Sequence, residues 1–516
     1  MFFGNKRKNT ELEIQIYDAI EKLEAGETSY LKIAYEAMAF DNREIVKKAA
    51  HGIKKCLETA TAKQMITLSE RFREYTSLDW FVDWKNVDIK GKKAWFGSEQ
   101  EYVYALIVGS FHPNGYFREV CSKELSNYPN TLGYMLLRVN DWVAPIRENM
   151  FVLALKRLEN CTVMELFLSI QHMEKLSRSG RVDYEEVTTL KDIFYRRIEE
   201  SLPDFPLEKI KYFEFATRKM IYRLLIKKRI LNLSQINYLL EREKHSFCKQ
   251  ILITGTLQYY DCSKEQVEKY LRDKSGIVRR RALEYQYSVV KNYWDGLEMM
   301  LLDKNKGVRE WTVYIISHHT DINILNFYIS HLQDENPIDA IVGVGEQGDE
   351  ESGKLLLPFL QSPVHKVVGA TLRALAKTIG MEGYDIYHEY LVNEEVSVSK
   401  AAYYAICYCT IHYGAEKLYH DCVQYTYPHV KRYALSLLIR ENSWNRLPFL
   451  LELYGREDFK EYQDLILGAI ASRDMYGTIS KEQEEKINKN LKEKEHLLPK
   501  HFVKEIRFDM KFVVEK

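Results

Sequence analysis

The sequence predicts an all-α protein built of stacked antiparallel helical hairpins, an α-solenoid, and three observations carry that reading. Only 24 Gly and 11 Pro punctuate 516 residues, so helical stretches run long. Hydrophobic residues at 46% suffice for a large core, while 29% charged residues cover the outside. An apolar anchor recurs at Val278, Val308, Ile338, Val367, Val398 and Val430, at intervals of 30, 30, 29, 31 and 32 residues.

Each anchor belongs to a small template. Four residues later, one helical turn on, stands a small or apolar follower: Ala282, Thr312, Val342, Thr371, Ala402 and Ala434. Anchor and follower share a helix face, and a small follower lets a neighbouring helix approach. Earlier instances are Val46 with Ala50, Phe117 with Cys121 and Ile146 with Met150; Phe247 is a weaker match. Five residues before the anchor come Asp41, Asp141, Asp273, Asp303, Ser362 and Asn393, read here as caps for the free N–H groups of a starting helix; His112, Gln333 and Tyr425 depart from this.

Between consecutive anchors there is room for one more helix. The capping-box pattern Ser263-Lys264-Glu265-Gln266 opens such a helix, with Val267, Tyr270 and Leu271 as its apolar stripe. A hairpin of ~30 residues cannot bury its apolar side alone, so hairpins stack on their neighbours.

Asn140-Asp141-Trp142-Val143-Ala144-Pro145-Ile146-Arg147 and Asp303-Lys304-Asn305-Lys306-Gly307-Val308-Arg309 resemble HEAT repeats. The likeness is closest to the short bacterial form, also called the phycobilisome-lyase type, with its Asp…Val-Arg…Ala signature. It covers 101–470 well and the rest loosely. Several units lack the Arg after the anchor, and the period is shorter than that of the longer eukaryotic repeats.

Four divisions follow. Residues 1–77 form N-terminal hairpins, 78–100 a Trp-rich insertion, 101–470 the repeat array with an irregular helical stretch near 160–210, and 471–516 a C-terminal helical cap. The insertion holds Trp80, Trp84 and Trp95. Such insertions often bind, although packing back onto the N-terminal hairpins is the plainer reading of these rings. The irregular stretch is read as longer helices, with an exposed loop at 177–181 and a break at Leu202-Pro203-Asp204-Phe205-Pro206. Ser480-Lys481-Glu482-Gln483 is a capping box that opens a strongly charged helix, suited to closing the stack with a polar face.

Lysine and arginine (74) balance aspartate and glutamate (74), which removes the overall positive field of a protein devoted to gripping phosphate backbones. The start, Met1-Phe2-Phe3-Gly4-Asn5-Lys6, lacks the apolar region of a secretory signal, and no stretch reaches the ~18 apolar residues of a membrane span, so cytoplasmic residence is expected. The eight Cys are scattered, as expected of reduced thiols.

Candidate chemistry is sparse. Gly343-Val344-Gly345-Glu346-Gln347-Gly348 is formally GxGxxG, but it lies on a helix after an anchor, not between a strand and a helix, so repeat packing explains it better than nucleotide binding. Cys407, Cys409 and His412 are metal-ligand types, yet Cys407 and Cys409 point about 200° apart on a helix and no CxxC accompanies them. The pairs Asp141/Arg147 and Asp303/Arg309 recur in register, as inter-repeat hydrogen bonds do and a single active site does not. No catalytic residue, cofactor site or metal site is assigned.

The candidate binding surface comprises Arg279, Arg280, Arg281, Arg309 and Trp311, with Trp80 and Trp84 of the insertion. The expected function is a non-enzymatic scaffold or adaptor binding a protein or peptide. From the resemblance alone come two alternatives: a nucleic-acid-binding solenoid, of which an alkylated-base DNA glycosylase using a basic groove with Arg279 to Arg281, Trp311 and Glu310 is one form, and a lyase- or chaperone-like factor acting on another protein.

Overall fold

The computed structural model describes residues 3–72, 82–202, 205–474 and 477–514, with side chains from residue 13 onward. Among them are 28 α-helices joined by short turns and 3-10 segments, with one isolated bridge between Ile479 and Val514 in place of any sheet. The chain is an all-α stack of helical hairpins in two compact units, Met1–Tyr285 and Gln286–Lys516. The division falls inside helix Gly276–Val290, where the repeat spacing gives no sign of it.

The hairpin template holds in detail. Val46, Phe117, Ile146, Val278, Val308, Val367, Val398 and Val430 are all buried, as are the followers Ala50, Cys121, Met150, Ala282, Thr312, Thr371, Ala402 and Ala434. The two threonines solve their hydroxyl problem within the turn: Thr312 Oγ1 donates to the Val308 carbonyl at 2.9 Å and Thr371 to the Val367 carbonyl at 3.0 Å. Two anchors need correction. Phe247 is 41% exposed and Cys248 beside it is the buried residue, while on helix Ile338–Gln347 the buried position is Ile341 and Ile338 is only partly covered.

The acidic residue before the anchor does not cap the helix directly. Asp141, Asp273, Asp303 and Asn393 each accept from the backbone N–H two residues on, at 2.7–3.0 Å, forming Asx turns that set the chain's entry angle. The N-cap follows two residues later, as at Asn305, whose side chain accepts from Val308 N–H at 3.2 Å. At the first instance the cap is Asn42, while Asp41 pairs with Lys92.

The arginine after the anchor reaches back to the carbonyl of that same Asp and not to its carboxylate: Arg147 to Asp141, Arg279 to Asp273 and Arg309 to Asp303, at 2.6–2.9 Å. Where the carboxylate is buried, an arginine of the preceding hairpin takes it. Arg118 meets Asp141 in this way, and Arg218 meets Glu243, which also accepts from Tyr222 and from His245 N–H.

In the first unit, Leu132–Val139, Val163–Leu176, Phe215–Lys227 and Ser246–Tyr259 lie side by side in one layer, and Gly115–Leu125, Ala144–Asn160 and Tyr184–Ser201 in the other. Phe215–Lys227 is the reason the period fails near 160–210. It is one extra helix, so the anchored helix after it continues the layer of the unanchored helices before it. In the second unit Ile338–Gln347, His365–Thr378, Val396–Tyr408 and Pro428–Leu438 pack in sequence, each against its own first helix. The charged helix Lys481–Lys494 opens on the expected capping box, both arms formed, and packs on Ser443–Leu453 through Ile487 and Leu491.

Candidate functional site

The structure sorts the candidate residues of the sequence. Trp84 is 1% exposed and stacks among Tyr35, His112 and Phe117, with ring centroids 6.1, 4.1 and 4.8 Å away, so it belongs to the core and not to a contact surface. Trp80 lies outside the described residues. Arg280 and Arg281 both pair with Glu284, at 3.0 and 2.5 Å, which cancels much of the expected basic strip, and Arg279 is engaged by Asp273.

Arg309 is corrected as well. It is 5% exposed and forms a bidentate pair with Glu346, Nε to Oε2 at 2.8 Å and Nη2 to Oε1 at 2.7 Å. Burial opposes its charge, but the Glu346 hydrogen bonds outweigh that and hold the guanidinium pKa above its usual value. Its partner sits inside the GxGxxG run, which is thereby explained. Cβ atoms added at Gly343 and Gly345 would fall 2.1 Å from the Tyr328 ring and 2.7 Å from Ala374 Cα, so these glycines exist to let helices touch. Cys409 Sγ faces the Ala376 carbonyl at 3.4 Å, and Cys407 receives Arg440 at 2.6 Å.

Arg280 stays exposed despite its pair, while Trp311 is half-buried. With Tyr287, Tyr314, His318 and His319 it forms a ring cluster, with Trp311 to Tyr314 at 5.5 Å and Tyr314 to His318 at 4.2 Å; Tyr314 is 44% exposed. Glu310 beside it pairs with Lys306 at 3.2 Å, both side chains largely exposed.

Further along the same unit a second cluster appears that the sequence reading did not single out. Tyr403 stacks on Tyr433 of the next hairpin at 4.9 Å, Tyr404 adjoins it at 5.6 Å, and Lys400 lies 5.8 Å over Tyr404. Tyr404 and Tyr408 are 50% and 65% exposed.

Several of these residues, with cations of neighbouring hairpins, occupy equivalent positions, whereas Tyr403 and His319, five and eleven after their anchors, do not. Lys400 and Arg432 stand two residues after their anchors, Trp311 and Tyr433 three, Tyr314, Arg373 and Tyr404 six, and His318 and Tyr408 ten. At 100° per residue these positions fall about 200–300° round from the anchor, within one sector of the second helix. Tabulating them hairpin by hairpin is the signal by which the sequence alone reveals the face.

Charge follows the same division. The second helices from Lys306–His319 to Pro428–Leu438 carry Lys306, Arg309, Lys366, Arg373, Lys377, Lys400, Lys431 and Arg432 against Glu310, Asp339 and Glu346. Their first helices, counting the 3-10 segment Leu297–Leu302, carry Glu298, Glu350, Glu351, Asp385, Glu389, Glu416 and Asp421 against Lys354 and Lys417. A chain of zero net charge thus separates its signs by layer within this unit. Lys366, Arg373 and Arg432 are exposed, and their side chains make no hydrogen bond or ion pair with a described residue.

No family model and no curated protein matches the chain. Among solved structures it is similar to the crystal structure of an engineered protein, at 12% identity over 86% of this chain and 99% of that one, with a TM-score of 0.18. So distant a likeness bears on neither site nor partner. Among the described residues no helix is long and apolar enough to cross a membrane.

Proposed function

We propose that the chain is a HEAT-like, non-enzymatic scaffold that binds a protein partner on the second-helix face of the unit Gln286–Lys516. One observation carries the reading: exposed aromatic rings and unpaired cations recur at equivalent positions on the second helices other than Ile338–Gln347, the side-chain chemistry that interface centres favour. Tyrosine and tryptophan lose little rotamer freedom on binding and present both an apolar body and a polar tip. An arginine such as Arg373, with no internal partner, is available to a carboxylate.

Removing rings that contribute nothing to the core tests this. The triple variant Tyr314→Ala, Tyr404→Ala, Tyr408→Ala leaves thermal unfolding unchanged and weakens partner binding by about 2 kcal/mol, roughly 30-fold, for each ring that acts as an anchor. Aromatic rings beside cations also suit single-stranded nucleic acid. Salt-sensitive binding of oligodeoxythymidylate that disappears in the same variant moves the reading to nucleic acid.

A further inference from the structure

We infer that the unit Met1–Tyr285 carries a second docking site, a groove for an acidic amphipathic helix of a partner protein. Helices Ala62–Arg71, Val163–Leu176, Tyr184–Ser201 and Phe215–Lys227 enclose an open cavity of about 740 Å³. Its floor is aliphatic, from Ile66, Ile170, Met220 and Leu224.

The rim is cationic. Lys219, Arg223 and Lys227 recur every four residues, so they form one stripe along Phe215–Lys227, beside the apolar stripe Ala216, Met220 and Leu224. Lys63 and Lys191 face them from the other helices. Neither these two nor Arg223 and Lys227 form a hydrogen bond or ion pair with a described residue, and Lys219 has only the Phe215 ring, 5.8 Å away. Of the two carboxylates lining the cavity, Glu174 is held by the Tyr195 hydroxyl at 2.7 Å and by Arg178 at 3.7 Å. Like charges gathered around one cavity repel, and an anionic occupant relieves them.

The floor decides which anion. Phosphates would satisfy the cations but leave the aliphatic floor wet, and among the described residues Tyr195 is the one ring lining the groove, where stacked bases need several. An amphipathic helix answers both halves of the pattern. Its leucine-like residues at i and i+4 cover the floor, and carboxylates four apart match a cation stripe with the same rise of about 6 Å per step.

The test is to pan a display library of random 14-residue peptides against the full chain and against the variant Lys219→Glu, Arg223→Glu, Lys227→Glu. Peptides recovered only by the wild type carry Asp or Glu four apart beside a Leu, Ile or Met stripe, and a synthetic representative binds at least tenfold more weakly to the variant. Reversal on the facing rim, Lys63→Glu with Lys191→Glu, weakens the same peptide independently, so misfolding of one variant does not mimic the result. The triple tyrosine variant described above still binds it, which separates this site from that face. Identical pools for wild type and variant, absence of any enriched pool, loss of the peptide from the triple tyrosine variant, or tighter binding of oligodeoxythymidylate than of the peptide to the groove at 150 mM salt overturns the proposal.

Discussion

Arg118 and Asp141 join two successive hairpins through a bidentate ion pair, Nε and Nη2 each 2.9 Å from a carboxylate oxygen, with both side chains buried. Arg138 adds a third bond to the same carboxylate at 3.1 Å and passes its other end to Ser69 Oγ at 2.6 Å. Burial opposes ionisation of Asp141, but the Arg118 hydrogen bonds and the charges of Arg138 and Arg118 prevail and keep its pKa below the ordinary carboxylate range. Replacing Asp141 by Ala strands two buried guanidinium groups. The expected loss is about 3–5 kcal/mol in urea unfolding of the full chain, against less than 1 kcal/mol for an exposed pair such as Lys306→Ala.

Acid destabilises the first unit before its carboxylates titrate. Burial, then the neighbouring Arg118 charge, pushes the His112 pKa down to about 3, and burial pushes His172 down to about 4. An unfolded histidine titrates near 6.5. Below that pH the unfolded chain binds protons that the folded chain refuses, so this stability is complete above about 6.5 and is lost as pH falls toward the folded values. At pH 5 each ring contributes a loss of about 2 kcal/mol, and His172→Phe flattens its share of the profile. Urea midpoints measured between pH 7.5 and 5 check both statements.

Glycine positions that look alike in sequence respond in opposite directions. Gly343→Ala drives a methyl into the Tyr328 ring and costs about 1–3 kcal/mol by overpacking. Gly468→Ala, on helix Gln463–Ala471 with open space at its Cβ position, gains up to about 1 kcal/mol from helix propensity. Thermal melts of the two single variants check both signs, and a Gly343→Ala melt unchanged from the wild type contradicts the packing role of the GxGxxG run.

The hairpin period was legible because burying an anchor and its small follower is a local requirement that recurs along the chain; Val278, Val308 and Val398 obey it, while Phe247 and Ile338 depart from it. The extra helix Phe215–Lys227 was not legible, since an unpaired helix changes layer parity without changing composition. Arg309 misled for a related reason. A basic residue beside a helix start reads as exposed, and only the neighbouring hairpin's Glu346, 37 residues later, shows it buried and paired. Trp311 was found because tryptophan is rare, whereas Tyr404 and Tyr433 were lost among 36 tyrosines until the positions they share with Tyr314 and Trp311 set them apart.

The central claim, that the second-helix face of Gln286–Lys516 holds a protein partner, is tested most directly by affinity capture with the full tagged chain and its Tyr314→Ala, Tyr404→Ala, Tyr408→Ala variant side by side. The expected result is a protein retained in fixed proportion to the wild-type chain and absent from the equally stable variant. Recovery of the same proteins in the same amounts by both chains contradicts it.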